Sequence, residues 1–209
     1  MQLLDQVDLG SLLDACAGIV YVVSPEARII AWGPITWNRF AMENGAPELT
    51  DPANLVGRNL LDFIAGEEVR NSYRLLHDLL LTSARETIEL DYRCDAPGVG
   101  RELRLSIKGI FVGVRPAGIL YQSIPLEQYP RQSAGVLRRR PAGWKPHGAP
   151  MVSMCSFCKR VQYPPGNLHG QWMPIEDYYL AGGTDDVALC YSVCDECDEQ
   201  LIRPQVMGQ

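Results

Sequence analysis

Four cysteines carry the clearest chemistry in this sequence. Cys155 and Cys158 stand three positions apart in "MCSFCKRV", and Cys194 and Cys197 repeat that spacing in "SVCDECDE" after 35 intervening residues. Two thiolates on one tight turn can approach one ion together, and two such turns supply the tetrahedral sulfur set that Zn²⁺ favours. The gap is wider than the 15–20 residues of the usual paired pattern. Reduced cysteines of a miniature core, and an iron–sulfur or redox site, are the other readings of the same spacing. Cys190 and His169 stand close enough in sequence to replace one of the four, or to sit behind them as supporting groups. A fifth cysteine beside thiolates would also suit a redox switch.

The segment that holds these cysteines, residues 151–209, has a thin apolar content: Val152, Phe157, Val161, Trp172, Ile175, Tyr178, Tyr179, Leu180 and Leu189. A piece of this size needs a staple, which a structural metal provides.

One histidine elsewhere raises a second chemistry. His77, in "RLLHDLLL", lies at the edge of an apolar helix face, four residues after Tyr73 and three before Leu80. It is the candidate ligand for a haem, against the plainer reading of a packed or solvated side chain. No Gly-rich phosphate loop, G-x-S-x-G or H-E-x-x-H occurs, so the sequence predicts no enzyme.

The elements that must position these residues fall into three segments. Residues 1–123 read as one α+β domain. "GIVYVVSPEARIIAWG" is two β-branched runs about a turn. Val69, Tyr73, Leu76 and Leu80 recur at helical steps and predict an amphipathic helix from Gly66 to about Arg85. The period then changes to two. Ile88, Leu90, Tyr92 and Cys94 alternate with charged residues, as do Leu103, Leu105 and Ile107, and "AGILYQSI" closes the segment. Alternation of this kind marks antiparallel strands packed on one face and solvated on the other.

Residues 124–150, with five prolines and three glycines, read as a linker. It is the one basic stretch, with five basic side chains against one acidic, three of them at Arg138, Arg139 and Arg140. Residues 151–209 form the cysteine module. Both ends are acidic within a net charge of −6, which argues against nucleic acid as a partner. A nucleic-acid regulator using the basic linker and the cysteine module is kept as an alternative. No run is long enough to span a membrane, and the first residues carry acids where a signal peptide carries Lys or Arg. The expectation is a cytoplasmic chain with reduced thiols.

The order of elements over roughly residues 10–124 resembles the PAS domain, a small sensor fold with a five-stranded antiparallel sheet and helices on one face. The match is carried by "GIVYVVSPEARIIAWG", by "VGRNLLDFI" leading into the long helix, and by the three final strands. The resemblance implies a sensing or dimerisation module that takes haem, flavin, a small metabolite or nothing. It also implies that the leading helix around Leu3, Leu4, Val7, Leu12 and Leu13 supports a homodimer; packing of that helix on its own sheet is the equal alternative.

The C-terminal segment resembles a zinc-finger-like piece found at the ends of bacterial PAS-containing signalling proteins. Cys155, Cys158, Lys159, Arg160, Trp172, Pro174, Ile175, Glu176, Tyr178, Cys194 and Cys197 fall on its pattern. The position three before Cys194, usually His there, is Tyr191. Together the resemblances imply a non-catalytic bacterial signalling protein, a PAS module coupled to a zinc-bound module that a protein partner reads.

Overall fold

The computed structural model describes residues 7–96, 98–131, 149–163 and 170–207. Arg138, Arg139, Arg140 and His169 lie outside them. The chain divides into two compact units that interleave in sequence. One comprises Met1–Ile64, Tyr73–Leu90 and Arg104–Pro125; the other comprises Ala65–Ser72, Asp91–Leu103 and Leu126–Gln209.

A five-stranded sheet in the order β2-β1-β5-β4-β3 is formed by β1 (Ile19–Val23), β2 (Ile29–Trp32), β3 (Thr87–Arg93), β4 (Val99–Val112) and β5 (Arg115–Pro130). β1 runs antiparallel to both β2 and β5. The alternation predicted for β3 and β4 is met in part: Ile88, Leu90, Leu103, Leu105 and Ile107 are buried, but Tyr92 and Cys94 are only half-buried and Ser106, expected to face solvent, is buried as well.

The helices α1 (Leu9–Asp14), α2 (Pro34–Glu43) and α3 (Glu67–Leu81) take different faces. Tyr21 of β1 stands directly opposite Tyr121 of β5, and their rings stack at 4.9 Å. Trp37 of α2 meets Tyr21 edge-on, and His77 of α3 meets Tyr121. Because side chains alternate along a strand, α2 and α3 cover the same face. Leu76 and Leu80 are buried in the first unit and Val69 in the second, as the sequence predicts, while Tyr73 of the same row is half-buried.

The opposite face, with Val20, Val22, Ala31, Ile110 and Leu120, is where Leu13 of α1 packs. α1 therefore packs on its own sheet through Leu13, while Leu9 and Leu12 each remain 54% exposed; Leu3 and Leu4 of the expected leading helix lie outside the described residues. Asp8 accepts from the Ser11 amide and caps α1; Asp14 accepts from the amides of Ile35 and Thr36 at 2.9 Å and does the same for α2. This leaves fewer of the unpaired N–H groups with which every helix starts.

His77 is a core residue, 5% exposed, with Nε2 against the Tyr121 hydroxyl. That nitrogen is engaged inside the protein, so the side chain proposed as a haem ligand offers no open ligand atom there. Burial, opposed by the neighbouring Asp78, lowers its pKa from 6.5 to about 4. A histidine held neutral in the fold takes up its proton on unfolding first, so stability falls as the pH drops below the unfolded value and levels off near the folded one. Over that window of some 2.5 pH units the loss is about 3 kcal/mol. Urea midpoints measured from pH 7 to pH 4 should fall more steeply in the native protein than in His77→Gln. Parallel curves would refute the assignment.

A second, four-stranded sheet lies in the second unit, in the order β8-β7-β6-β9: β6 (Met151–Cys155), β7 (Val161–Tyr163), β8 (Gln171–Met173) and β9 (Ala188–Ser192). β7 is antiparallel to β6 and to β8, but β9 is parallel to β6. With α4 (Ile175–Leu180) these strands enclose a core of Val152, Met154, Val161, Ile175, Tyr178 and Val187. Leu180, counted as core from its sequence, is 86% exposed: it is the last residue of α4, past the turn that carries Ile175 and Tyr178 inward.

The expected boundary between residues 123 and 124 falls inside β5, which continues to Pro130. The register with β1 ends at Ser123, so on that side Pro125 and Pro130 interrupt no ladder, where a missing N–H is tolerated. No helix among the described residues is long and apolar enough to cross a membrane.

Candidate metal centre

The parallel pairing of β6 with β9 is what brings the cysteines together. Cys155 ends β6 and stands opposite Ser192 of β9, so both C-x-x-C turns leave the sheet at the same end. The first turn closes when the Lys159 amide donates to the Cys155 carbonyl at 3.1 Å and the Cys155 amide donates to the Arg160 carbonyl at 2.8 Å. Lys159 takes φ +60° to make this turn, a left-handed conformation that glycine adopts far more readily. The second turn is the start of α5 (Asp195–Cys197), with Cys194 as its cap.

The four sulfurs lie within 4.8 Å of one another. Cys158 Sγ and Cys194 Sγ are 3.6 Å apart, and all seven cysteines are free. A tetrahedron with Zn–S bonds of about 2.3 Å has edges of about 3.8 Å. The cluster is therefore of the right size for one ion, and at 3.6 Å even Cys158 and Cys194 are not bonded to each other. Backbone amides point at the sulfurs as well: Cys194 N–H donates to Cys155 Sγ and Cys197 N–H to Cys194 Sγ, each at 3.4 Å. Such donors favour the thiolate form.

The electrostatics of the bare sulfurs leads to the same conclusion. S–H donors from Cys158, Cys194 and Cys197 push the Cys155 thiol far down, while the thiols of Cys158 and Cys197 are pushed far up, first by their hydrogen bonds to Cys155. Against its hydrogen bond to Cys155, those from Cys158 and Cys197 lower the Cys194 thiol too, so it is the remaining two thiolates that require a cation among them. Lys159 stands close by, with Nζ donating to the Ser156 carbonyl at 2.8 Å. Burial lowers its pKa, and the neighbouring Cys94, Cys155, Asp95 and Cys158 pull it back up.

Cys190 does not join the cluster. It is exposed on β9, opposite Ser153, and alternation puts it on the other side from Tyr191, which packs on the core. Tyr191, at the position where the resembled pattern has His, is likewise packing and not a ligand. Its backbone is approached by Gly66, where φ is +90° and an added Cβ would stand 2.2 Å from the Tyr191 carbonyl oxygen. Glu68 accepts from the Val193 amide at 3.4 Å. These contacts tie the start of α3 to β9 within the second unit.

Sequence reasoning missed an ionic group in that unit. Asp95, its side chain fully buried, binds Arg93 at 2.7 Å, Arg131, and the Arg101 amide at 3.1 Å; Arg131 also reaches Glu176 of α4. The only sequence signal was an aspartate placed just after an alternating run, in "YRCDAPG".

No family model matches this sequence, and no curated protein matches it. Among solved structures, similar chains include the PAS domain of BvgS from Bordetella pertussis, at 13% identity and TM-score 0.43, over 61% of this chain and 88% of that one. A C-terminal domain from Streptococcus mutans is similar at 10% identity and TM-score 0.42, over 56% and 82%. The PAS domain of an HTR-like protein from Haloarcula marismortui follows at 14% and 0.37, over 56% and 94%. Likeness at this level bears on neither ligand nor activity.

Proposed function

We propose that this chain is a non-catalytic signalling protein in which a PAS-like sensing or dimerisation unit is joined to a zinc-stabilised module that a protein partner reads. The observation that carries the reading is the closed four-cysteine cluster at the end of two parallel strands. Four sulfurs on one Zn²⁺ leave no position for water or substrate, which is the signature of a structural site rather than a catalytic one. The ion would be held by Cys155, Cys158, Cys194 and Cys197, and it would tie the two turns to each other. Dimerisation through the exposed side of α1, with Leu9 and Leu12, belongs to the same proposal.

Elemental analysis of untagged protein, with an absorption spectrum, tests the reading. About one zinc per chain and no visible bands are expected. Chelation at neutral pH should then turn the segment from Met151 onward protease-sensitive. A chelated protein whose second unit resists protease as well as the untreated one would refute it.

A further inference from the structure

Three of the four sulfur residues are sealed: Cys155 is 0%, Cys194 1% and Cys197 7% exposed. Cys158 is the half-buried one, and it lines a cavity of about 160 Å³. The walls include Tyr92 and Leu126, and the carboxylates of Asp91 and Glu102 stand in the same lining. The one basic group there, Arg93, is bound to Asp95. The cavity belongs to the second unit, where the Arg93 amide donates to the Phe157 carbonyl at 2.6 Å and fixes β3 beside the first cysteine turn.

Size and charge limit what can enter. The space is small beside ordinary ligand sites, which run from about 300 Å³ upward, and it opens to solvent, so a reagent a few atoms in size can reach Cys158. A cluster that is itself anionic, with four thiolates on one dication, disfavours anionic reagents. A small, neutral electrophile is what fits.

We infer that Cys158 is a modification site, the point at which hydrogen peroxide or a comparably small neutral hydroperoxide enters and opens the cluster. The inference rests on the zinc reading above. The Cys158 thiolate attacks the peroxide; an S–O bond forms, the O–O bond breaks and hydroxide leaves. The Cys194 thiolate, its sulfur 3.6 Å away, then attacks the sulfenic sulfur. An S–S bond forms, the S–O bond breaks and a second hydroxide leaves. Two thiolates are oxidised, one peroxide is reduced to two hydroxides, and only two thiolates remain to hold the ion, which dissociates. A reducing thiol reverses the step, and zinc then rebinds.

The test uses the zinc-loaded full chain in a Cys16→Ser, Cys190→Ser background, which removes the exposed thiols, and hydrogen peroxide as the probe. Zinc release is read with a chromogenic chelator and the disulfide by peptide mapping. Zinc should leave in proportion to peroxide consumed, a Cys158–Cys194 linked peptide should appear, and dithiothreitol with zinc should restore the starting state. Leu126→Trp, which narrows the cavity without touching a ligand, should retain its zinc content and release it several-fold more slowly. Zinc that stays bound under peroxide, a disulfide that excludes Cys158, or an unchanged rate in Leu126→Trp overturns this inference alone. Protein that carries no zinc as purified overturns the zinc reading, and this inference with it.

Discussion

Cys197→Ser is expected to abolish zinc binding and to unfold the second unit, with Cys158→Ser behaving alike. The magnitudes decide this. Structural zinc in small modules contributes about 10–16 kcal/mol at neutral pH, against about 5–15 kcal/mol for the whole stability of an ordinary domain. A serine hydroxyl in place of one thiolate forfeits much of that term, and the apolar cluster around Tyr178 is too small to offset it. The loss should spread along the hydrogen bonds that leave the first cysteine turn. The Arg93 amide, bound to the Phe157 carbonyl, and the Val193 amide, bound to Glu68, should both lose protection from hydrogen exchange. Amides of Ile19–Val23, in the first unit, should keep theirs. Undiminished zinc content in either variant would refute the ligand set, and unchanged exchange at Arg93 would refute the spread.

Local pattern told most of this structure and pairing told the rest. The alternation of Ile88, Leu90, Leu103, Leu105 and Ile107 identified the strands because a sheet covered on one face has no other way to sort its side chains. The steps between Val69, Leu76 and Leu80 identified α3 for the same reason at a different period. The spacing of the cysteines named the four that cluster, since two residues between thiols is a property of one turn. What remained hidden was which strand pairs with which. β9 lies parallel to β6 across more than thirty residues, and neither strand carries a sign of its neighbour in its own five residues. Hence Cys190 looked interchangeable with the ligands, although alternation within "ALCYS" turns it away once the strand is known. Pro125 and Pro130 misled in the opposite sense. Read alone they announce a linker, but both lie past the last β1–β5 pair, at Ser123, and interrupt no bond on that side. The Asp95 group was hidden by distance: Arg131 and Glu176 are far from it in sequence, and each reads as an ordinary surface charge.

That group carries the second large effect. Asp95→Ala is expected to cost about 3–5 kcal/mol, the range for removing one partner from a buried ion pair. The carboxylate is wholly buried, and its removal leaves Arg93, Arg131 and the Arg101 amide without it at once. Arg131 is the critical one: its side chain is 6% exposed, and among the described residues its Nε has no partner and only Glu176 would remain to it. Glu176 is 55% exposed, so Glu176→Gln should cost no more than about 1 kcal/mol, as solvent-screened pairs do. A third variant separates the charge from the packing. Asp95→Leu with Arg131→Met removes both members of the most deeply buried pair and should recover much of the single-variant loss, because only Arg93, 23% exposed, is then left without its carboxylate. Urea midpoints of the zinc-loaded proteins give all three values. If Asp95→Ala falls no further than Glu176→Gln, the buried carboxylate is not what joins the ends of β3 and β5 to α4 within the second unit.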